Sequence, residues 1–444
     1  MITDEELLLC REALQYSLDN GADAARITLT KSTENIIATL DGAPDRVTRC
    51  GDRSMNIALF ADGRFGSFSI NKLDSDTLRR FILDAIGTVR LLAPDPFRRL
   101  PSPERCCRSA SGGRETGIFD PSWSEVKPDE RVARALGAAW WGRAPEGVRL
   151  ISEEGEYSDS EYDTFLVDSQ GLECRHTETS FDYGVEVTVQ DADGNKYSDY
   201  WWTASPFQAS FDPSECGLKA IRRACAQIGS APAPGGRFRM VVGSEVASRL
   251  VTPLLNALNA YSIQQGNSFL AGTLGSAVFH KGLTIFDEPF RPGESGSKLF
   301  DSEGVACANA PVIEGGVIKR YSVNTYMAGK MGIAPTVEDV LRARLAPWPE
   351  PGLDRAALMK MCGSGILVTD FNGGNCNMAT GDFSYGISGQ LFENGTPVRP
   401  VSEMLITGNF LELWKGLVAA GEDYRTCDSK LIPSLAFEAV DFSG

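Results

Sequence analysis

The stretch Tyr183-Gly184-Val185-Glu186-Val187-Thr188-Val189-Gln190, then Asp191-Ala192-Asp193-Gly194-Asn195, then Lys196–Thr203, decides the fold class. Its arms alternate apolar and polar residues, the period of a strand with one buried face. The Asp/Gly/Asn middle is turn chemistry, so the whole reads as an antiparallel hairpin. Ser54–Phe60 and Phe65–Ile70, joined at Ala61-Asp62-Gly63-Arg64, read as a second hairpin. Antiparallel hairpins with helices segregated beside them indicate an α+β fold rather than a parallel doubly wound sheet.

Outward from these hairpins the other elements follow. Thr3–Asn20 reads as a helix, with Thr3 and Glu6 as a capping box and Gly21 as the stop. Ala25–Thr30 and Asn35–Leu40 read as strands. Ser75–Leu92 reads as a helix with Leu78, Phe81, Ile82, Ala85, Ile86 and Val89 on one face. Pro94, Pro96, Pro101 and Pro103 then break the chain. Asp129–Trp141 and Pro213–Gly229 read as helices, and Val148–Ser152, Tyr157–Ser160 and Thr164–Asp168 as strands. Ser230-Ala231-Pro232-Ala233-Pro234-Gly235-Gly236 is the clearest linker. It divides an N-terminal αβ domain, 1–229, from a β-rich C-terminal domain, 237–444. The latter begins with a strand, Arg237–Val242, and a helix from Ser244 to about Tyr261. Leu250, Val251, Leu254, Leu255 and Leu258 fall on one side of that helix. Short strands and glycine turns follow, with one helix near Leu411–Ala420.

The bulk properties narrow the function. A chain of 444 residues accommodates two or three domains at roughly 150 residues each. Its formal charge of −16, without a Lys/Arg stripe, weighs against direct nucleic-acid binding. The start, MITDEELLLCREAL, has neither a basic leader nor an uninterrupted apolar run, and no stretch approaches a membrane span. Eleven cysteines, an odd number without a CxxC pair, suit reduced thiols in a cytoplasmic protein. Cys106-Cys107, in an Arg-rich stretch, read as exposed loop thiols.

Local chemistry is sparse. The two histidines, His176 and His280, lie far apart, and no HExxH or CxxC motif is present. Glu153, Glu154, Glu156, Asp159, Glu161 and Asp163 place six acids in eleven residues. Strand alternation makes them a solvated sheet face rather than a cation site. Asp191–Asn195 lacks the glycine position and closing Glu of a calcium loop. Gly293-Glu294-Ser295-Gly296-Ser297-Lys298 lacks phosphate-loop spacing and reads as a mobile surface loop. The informative segment is Asn372-Gly373-Gly374-Asn375-Cys376-Asn377, continuing Ala379-Thr380-Gly381-Asp382-Phe383-Ser384-Tyr385-Gly386. Its glycines permit close backbone approach, and its small polar residues could hold an extended peptide by main-chain hydrogen bonds. A tight structural turn is the plainer alternative. Cys376 has no histidine near it in sequence to activate it as a nucleophile.

Asn375–Gly386, with Phe392-Glu393-Asn394-Gly395, resembles the C-terminal signature of the PmbA/TldE family. So do Leu299–Val305, Ser402-Glu403-Met404, Thr407-Gly408-Asn409 and Leu431-Ile432-Pro433. Gly63–Ser67 and Ala93–Pro96 carry a weaker likeness in the N-terminal half. The resemblance implies an αβ domain followed by a β-rich one, and a place in a TldD/TldE-type peptidase complex acting on unfolded or leader-type peptides. Family members are also described as modulators of DNA gyrase. In TldD-like subunits zinc is held by HExxxH and a late cysteine. The matching positions here are Thr252, Pro253 and Ala257, none of them a zinc ligand, and Cys427. The resemblance therefore implies a metal-free TldE-like chain, with zinc in a TldD-like partner. The glycines and small polar residues of the informative segment make Gly373, Gly374, Asn375, Cys376, Asn377, Thr380, Gly381 and Asp382 the candidate substrate-binding positions. A peptide-binding homodimer without proteolysis, or a gyrase-associated regulator, is the rival reading.

Overall fold

The computed structural model describes residues 1–141 and 145–444. Its first helix, α1 (Asp4–Asp19), starts at the expected capping box. Thr3 Oγ1 accepts from the Glu6 amide, and the Glu6 carboxylate accepts from the Thr3 amide. After it come β1 (Ala24–Leu40), β2 (Ala43–Ala61), β3 (Arg64–Ile70), α2 (Ser75–Val89) and α3 (Pro128–Gly137). Then follow β4 (Arg149–Asp168), β5 (Glu173–Gln190), β6 (Lys196–Ser205) and α4 (Cys216–Cys225). The six strands form one antiparallel sheet in the order β3-β2-β1-β4-β5-β6. Both expected hairpins form. Asp62 and Gly63 have φ of 53° and 69°, the two positive values a primed turn needs. The Asp191 carboxylate accepts from the Asp193 and Asn195 amides and closes the other turn.

The strands are longer than their apolar runs suggested. Ala25–Thr30 and Asn35–Leu40 belong to one strand, and the three runs within 148–168 belong to another of 20 residues. One face of this sheet carries two helix pairs end to end. Ile27, Leu29, Phe165 and Val167 pack under α1 and α2, whereas Ile37, Tyr157, Phe181 and Tyr183 pack under α3 and α4. All these positions are odd-numbered and register-matched, so they share a face.

Between the two apolar clusters lies a buried polar belt, and it corrects the expectation of a solvated acidic face. Glu154 and Glu156 do point outward, but Glu153, Asp159, Glu161 and Asp163 are buried. Each charge has a partner. Asp159 accepts from Arg131 Nε at 2.6 Å, Tyr157 Oη at 2.8 Å and Asn35 Nδ2 at 2.8 Å. Asp163 pairs with Arg175 at 2.6 Å, Glu161 meets the N-terminal ammonium at 2.6 Å, and Glu153 accepts from the Trp140 amide. Cys106 and Cys107 are likewise buried, not exposed. They pack with Leu166, Leu172, Cys174 and Phe300 on the opposite face of the sheet, where Cys106 bridges to Val305.

The second half contains β7 (Gly236–Val242), α5 (Ser244–Ala257), α6 (Ala260–Gln264), β8 (Ile285–Asp287), β9 (Ala310–Glu314) and β10 (Val317–Ile318). It continues through α7 (Thr325–Met331), β11 (Ala343–Leu345), α8 (Arg355–Cys362), β12 (Gly365–Cys376) and β13 (Asp382–Glu393). It ends with β14 (Thr396–Asn409), α9 (Phe410–Lys415), β15 (Leu417–Ala420) and β16 (Leu435–Ser443). β8–β11 make a small four-stranded sheet. The larger sheet runs β14-β13-β12-β7-β16-β15, and β14 also pairs with β16, so it closes into a barrel. Only the β7–β12 pairing within it is parallel. The α+β architecture read from the hairpins is thus present.

Several helix boundaries differ from expectation: α3 stops at Gly137 rather than Trp141, and α4 spans Cys216–Cys225 rather than Pro213–Gly229. The helix read through Tyr261 breaks after Ala257, and Asn259 caps α6 through the Tyr261 amide. The helix read across Leu411–Ala420 stops at Lys415. Gly416 interrupts it, and the apolar run Leu417–Ala420 pairs with β16 instead. Residues 230–235 have no regular structure and are tied to β14, the Ala233 amide donating to Met404 Sδ. Among the described residues no helix is long and apolar enough to cross a membrane.

β12 and β13 approach each other unusually closely. Their register shifts twice, between Val368 and Asp370 and between Phe371 and Gly374. Gly374 has φ of +93°, and a Cβ there would stand 2.1 Å from the Ser384 carbonyl oxygen. A Cβ on Gly386 would stand 2.4 Å from Asn372 Oδ1. Gly373, with φ of +94°, would meet nothing within 4 Å.

Two stability tests follow from this packing. Asp159→Ala strands the Arg131 guanidinium in the polar belt and should destabilise the protein by about 3–5 kcal/mol in denaturant titration. A loss below about 1 kcal/mol would mean that water reaches the belt. Gly374→Ala should cost about 3 kcal/mol or more, and Gly373→Ala only about 1–2 kcal/mol for its left-handed backbone. Equal melting-temperature losses in the two would refute the close-approach account.

Candidate functional site

α5 is apolar on nearly every side. Val246, Ala247, Leu250, Val251, Leu254 and Leu255 are all buried in the barrel core. One polar stripe escapes: Glu245, Ser248, Arg249 and Thr252, spaced i, i+3, i+4, i+7 and half-buried or exposed. This stripe forms one wall of a cavity of about 470 Å³. The opposite wall is the bulged stretch of β12, with Asp370, Phe371, Gly374 and Asn375, backed by Tyr385 of β13. Tyr200 of β6 reaches in from the N-terminal sheet.

Electrostatics divide the stripe. Glu245 is fully engaged, with Arg223 at 2.8 Å and Arg355 at 3.0 Å. Arg223 also holds Asp199 of β6 at 2.9 Å and donates to the Thr369 carbonyl, joining α4, β6, α5 and β12 at one point. The Arg249 guanidinium lies 5.9 Å from the centroid of the Tyr385 ring. Burial, and secondarily the charge of Asp199, pushes the Asp370 carboxyl above its usual range. Burial also raises the Tyr200 and Tyr385 hydroxyls, so both remain neutral hydrogen-bond donors near neutral pH.

The residues singled out in the sequence separate into two groups. Gly374 and Asn375 line the cavity and face Thr252 and Pro253 across it. Gly373 precedes them on the same exposed edge of β12. Cys376, Asn377, Thr380, Gly381 and Asp382 instead belong to the end of the β12–β13 hairpin. Asn377 accepts from the Ala379 amide, its carbonyl receives the Thr380 and Gly381 amides, and Asn409 bonds both the Thr380 carbonyl and Asp382. Burial, then the Asp382 charge, raises the Cys376 thiol, which lies 3.9 Å from Met378 Sδ. Such a thiol is a poor nucleophile.

The zinc-motif positions do not fit a zinc ion. Thr252 Oγ1 donates to the Ser248 carbonyl within its own helix, at 2.9 Å. Pro253 offers no donor atom and, lacking an N–H, leaves the Arg249 carbonyl without its helical partner. Ala257 is fully buried. Cys427 does not line the cavity. Its thiol, raised by burial, sits between Arg425 and Asp428 at 3.5 Å from each. Among the described residues no three His, Cys, Asp or Glu side chains are placed to hold a metal. The histidines lie elsewhere, His176 on Glu178 at 2.9 Å and His280 stacked on Trp348. The loop at Gly293–Lys298 is anchored, with Ser297 fully buried and Glu294 paired to Arg342. Sequence reasoning missed Glu245, Ser248, Arg249, Asp370 and Tyr200. The helical stripe of the first three was the available signal.

Known proteins with this architecture bear on the site. The chain matches the PmbA/TldA metallopeptidase central domain over residues 121–228 and the C-terminal domain of that family over residues 235–444. It is 27% identical over 442 residues to the metalloprotease PmbA of Escherichia coli O157:H7, covering 96% of this chain and 95% of that protein. A solved structure from Bacteroides thetaiotaomicron VPI-5482, described as a candidate modulator of DNA gyrase, superposes with a TM-score of 0.95. It is 36% identical and covers all of both chains. TldE from Thermococcus kodakarensis shares the fold, with a TM-score of 0.85 at 17% identity over 98% of this chain and 100% of that one. With both family domains matched in order and a full-length relative at 36% identity, the chain belongs to the PmbA/TldD metallopeptidase family.

Proposed function

We propose that this chain is the metal-free, TldE-like subunit of a TldD/TldE-type peptidase complex in the cytoplasm. In this reading its cavity holds an extended stretch of an unfolded or leader-type peptide, and a TldD-like partner supplies the zinc. The observation that carries it is the α5–β12 cavity. Thr252 and Pro253, where the resemblance places the zinc motif, stand on its wall without the imidazole or carboxylate of that motif, yet the cavity remains open and presents Ser248, Arg249, Asp370 and Asn375. Opposite them the exposed edge Asn372–Asn375 offers main-chain donors and acceptors beside two positive-φ glycines. A peptide lying along such an edge gains affinity from backbone bonds with little sequence preference. The remaining positions, Cys376 to Asp382, shape the hairpin that presents this edge. Residues 230–236, which lack regular structure up to the start of β7 at Gly236, are the proposed division between the domains. The gyrase connection in the name of the Bacteroides thetaiotaomicron relative fits an indirect effect better than DNA contact, given the charge of −16.

The test is reconstitution. Purified alone, the chain should carry no stoichiometric zinc and cleave no peptide; mixed with a TldD-like subunit, it should support cleavage of an unfolded peptide. Asn375→Trp should lower that cleavage roughly tenfold or more by filling the cavity, with an unchanged melting temperature. One zinc per isolated chain, lost in Cys427→Ala, would overturn the metal-free assignment. Undiminished cleavage by the Trp variant would place the substrate elsewhere.

A further inference from the structure

Resting on the peptide-cleft reading, we infer that Arg249 anchors a carboxylate of the bound peptide, either its free C-terminus or an acidic side chain. Arg249 occupies the middle of the polar stripe, and its proximity to Tyr385 sets its guanidinium at the cavity. The other arginines close to this wall are committed: Arg223 to Asp199 and Glu245, and Arg355 to Glu245. Arg249 makes no ion pair and no hydrogen bond among the described residues. In a chain of net charge −16 with 59 acids, Arg249 forms no ion pair even though the Glu245 and Asp370 carboxylates line the same cavity, so its guanidinium fork is open to a ligand's carboxylate.

The surroundings suit that ligand. A carboxylate accepts a bidentate pair from the planar guanidinium and has lone pairs left for neutral donors. The Ser248 hydroxyl and the Asn375 amide line the same cavity and make no side-chain bond among the described residues. Contact with the Tyr385 face limits the rotamers of Arg249 and so reduces the ordering cost of binding. Asp370 is near enough to feel the Arg249 charge but forms no ion pair with it.

Calorimetric titration of the full chain with three probes tests this: tetra-alanine with a free C-terminus, its C-terminal amide, and the amide with one internal alanine replaced by glutamate. The free acid, the glutamate amide or both should bind at least about tenfold more tightly than the plain amide, and which does so identifies the carboxylate. Arg249→Gln should bring all three within about twofold of one another, while Arg249→Lys should keep part of the preference, having charge without the fork. Arg249 is exposed, so both variants should melt like the parent. Equal binding of all three probes by the parent chain would overturn the anchor while leaving the peptide cleft intact. Preference retained in Arg249→Gln would overturn it too. If no probe binds the parent chain, the cleft reading itself fails, and the anchor with it.

Discussion

α5 has to be enclosed, and the C-terminal half is organised around that requirement. A helix with buried residues on almost every side is stable in water only if other elements cover it, each covered side chain contributing about 1.5–3 kcal/mol. The cover is the barrel, and the barrel is complete because β14 pairs with both β13 and β16. Closure joins β14, otherwise an open edge, to β16, while β15 stays outside the closed ring and pairs with β16 alone. It also determines where a site can form, since only the side of α5 that the barrel leaves uncovered can meet solvent. That side is the stripe Glu245, Ser248, Arg249 and Thr252.

The wall opposite the stripe exists because β12 is irregular there. Two register shifts turn Asp370, Phe371, Gly374 and Asn375 toward the cavity, and they need backbone positions that tolerate positive φ and leave no room for a Cβ, as at Gly374. The same glycines therefore serve the sheet and the site, so the two readings of Asn372–Gly386 are not exclusive. The N-terminal half contributes the third side. Arg223 fixes it, since one guanidinium binds a carboxylate from β6, a carboxylate from α5 and a carbonyl of β12. Tyr200 follows Asp199 in sequence and is carried to the cavity mouth by that attachment.

What the sequence disclosed was local. The capping box, both hairpin turns and the apolar face of α5 each rest on neighbours within a few residues, and each is present. The continuity of β1 and β4 was hidden because their middles are polar. Asn35, Asp159 and Asp163 look like loop or surface residues until Arg131 and Arg175 arrive from elsewhere in the chain. Burial of Cys106 and Cys107 was hidden for the same reason, as it depends on Val305 and Phe300 nearly 200 residues away. At the site, Gly374 and Asn375 were marked by the glycines and small polar residues of their segment, whereas Arg249 belongs to no motif. Its place is legible only as the interruption of an apolar helix at 3.6-residue spacing.

That interruption bears on why the cavity would be kept when Thr252, Pro253 and Ala257 offer no zinc ligand. Apolar residues at Ser248 and Thr252 would extend the barrel core and add roughly 25 cal/mol for each Å² they buried. Pro253 within α5 acts against the helix as well, since a proline in a helix interior costs about 3 kcal/mol in the general case. A domain shaped only for stability would have closed this wall. The stripe instead holds two hydroxyls and an arginine, facing a strand edge with free main-chain groups across a volume of about 470 Å³. Stability thus accounts for the barrel and for the buried side of α5, but not for its open side. The proposed handling of a peptide accounts for that open side, and it requires none of the zinc-binding atoms that Thr252, Pro253 and Ala257 lack.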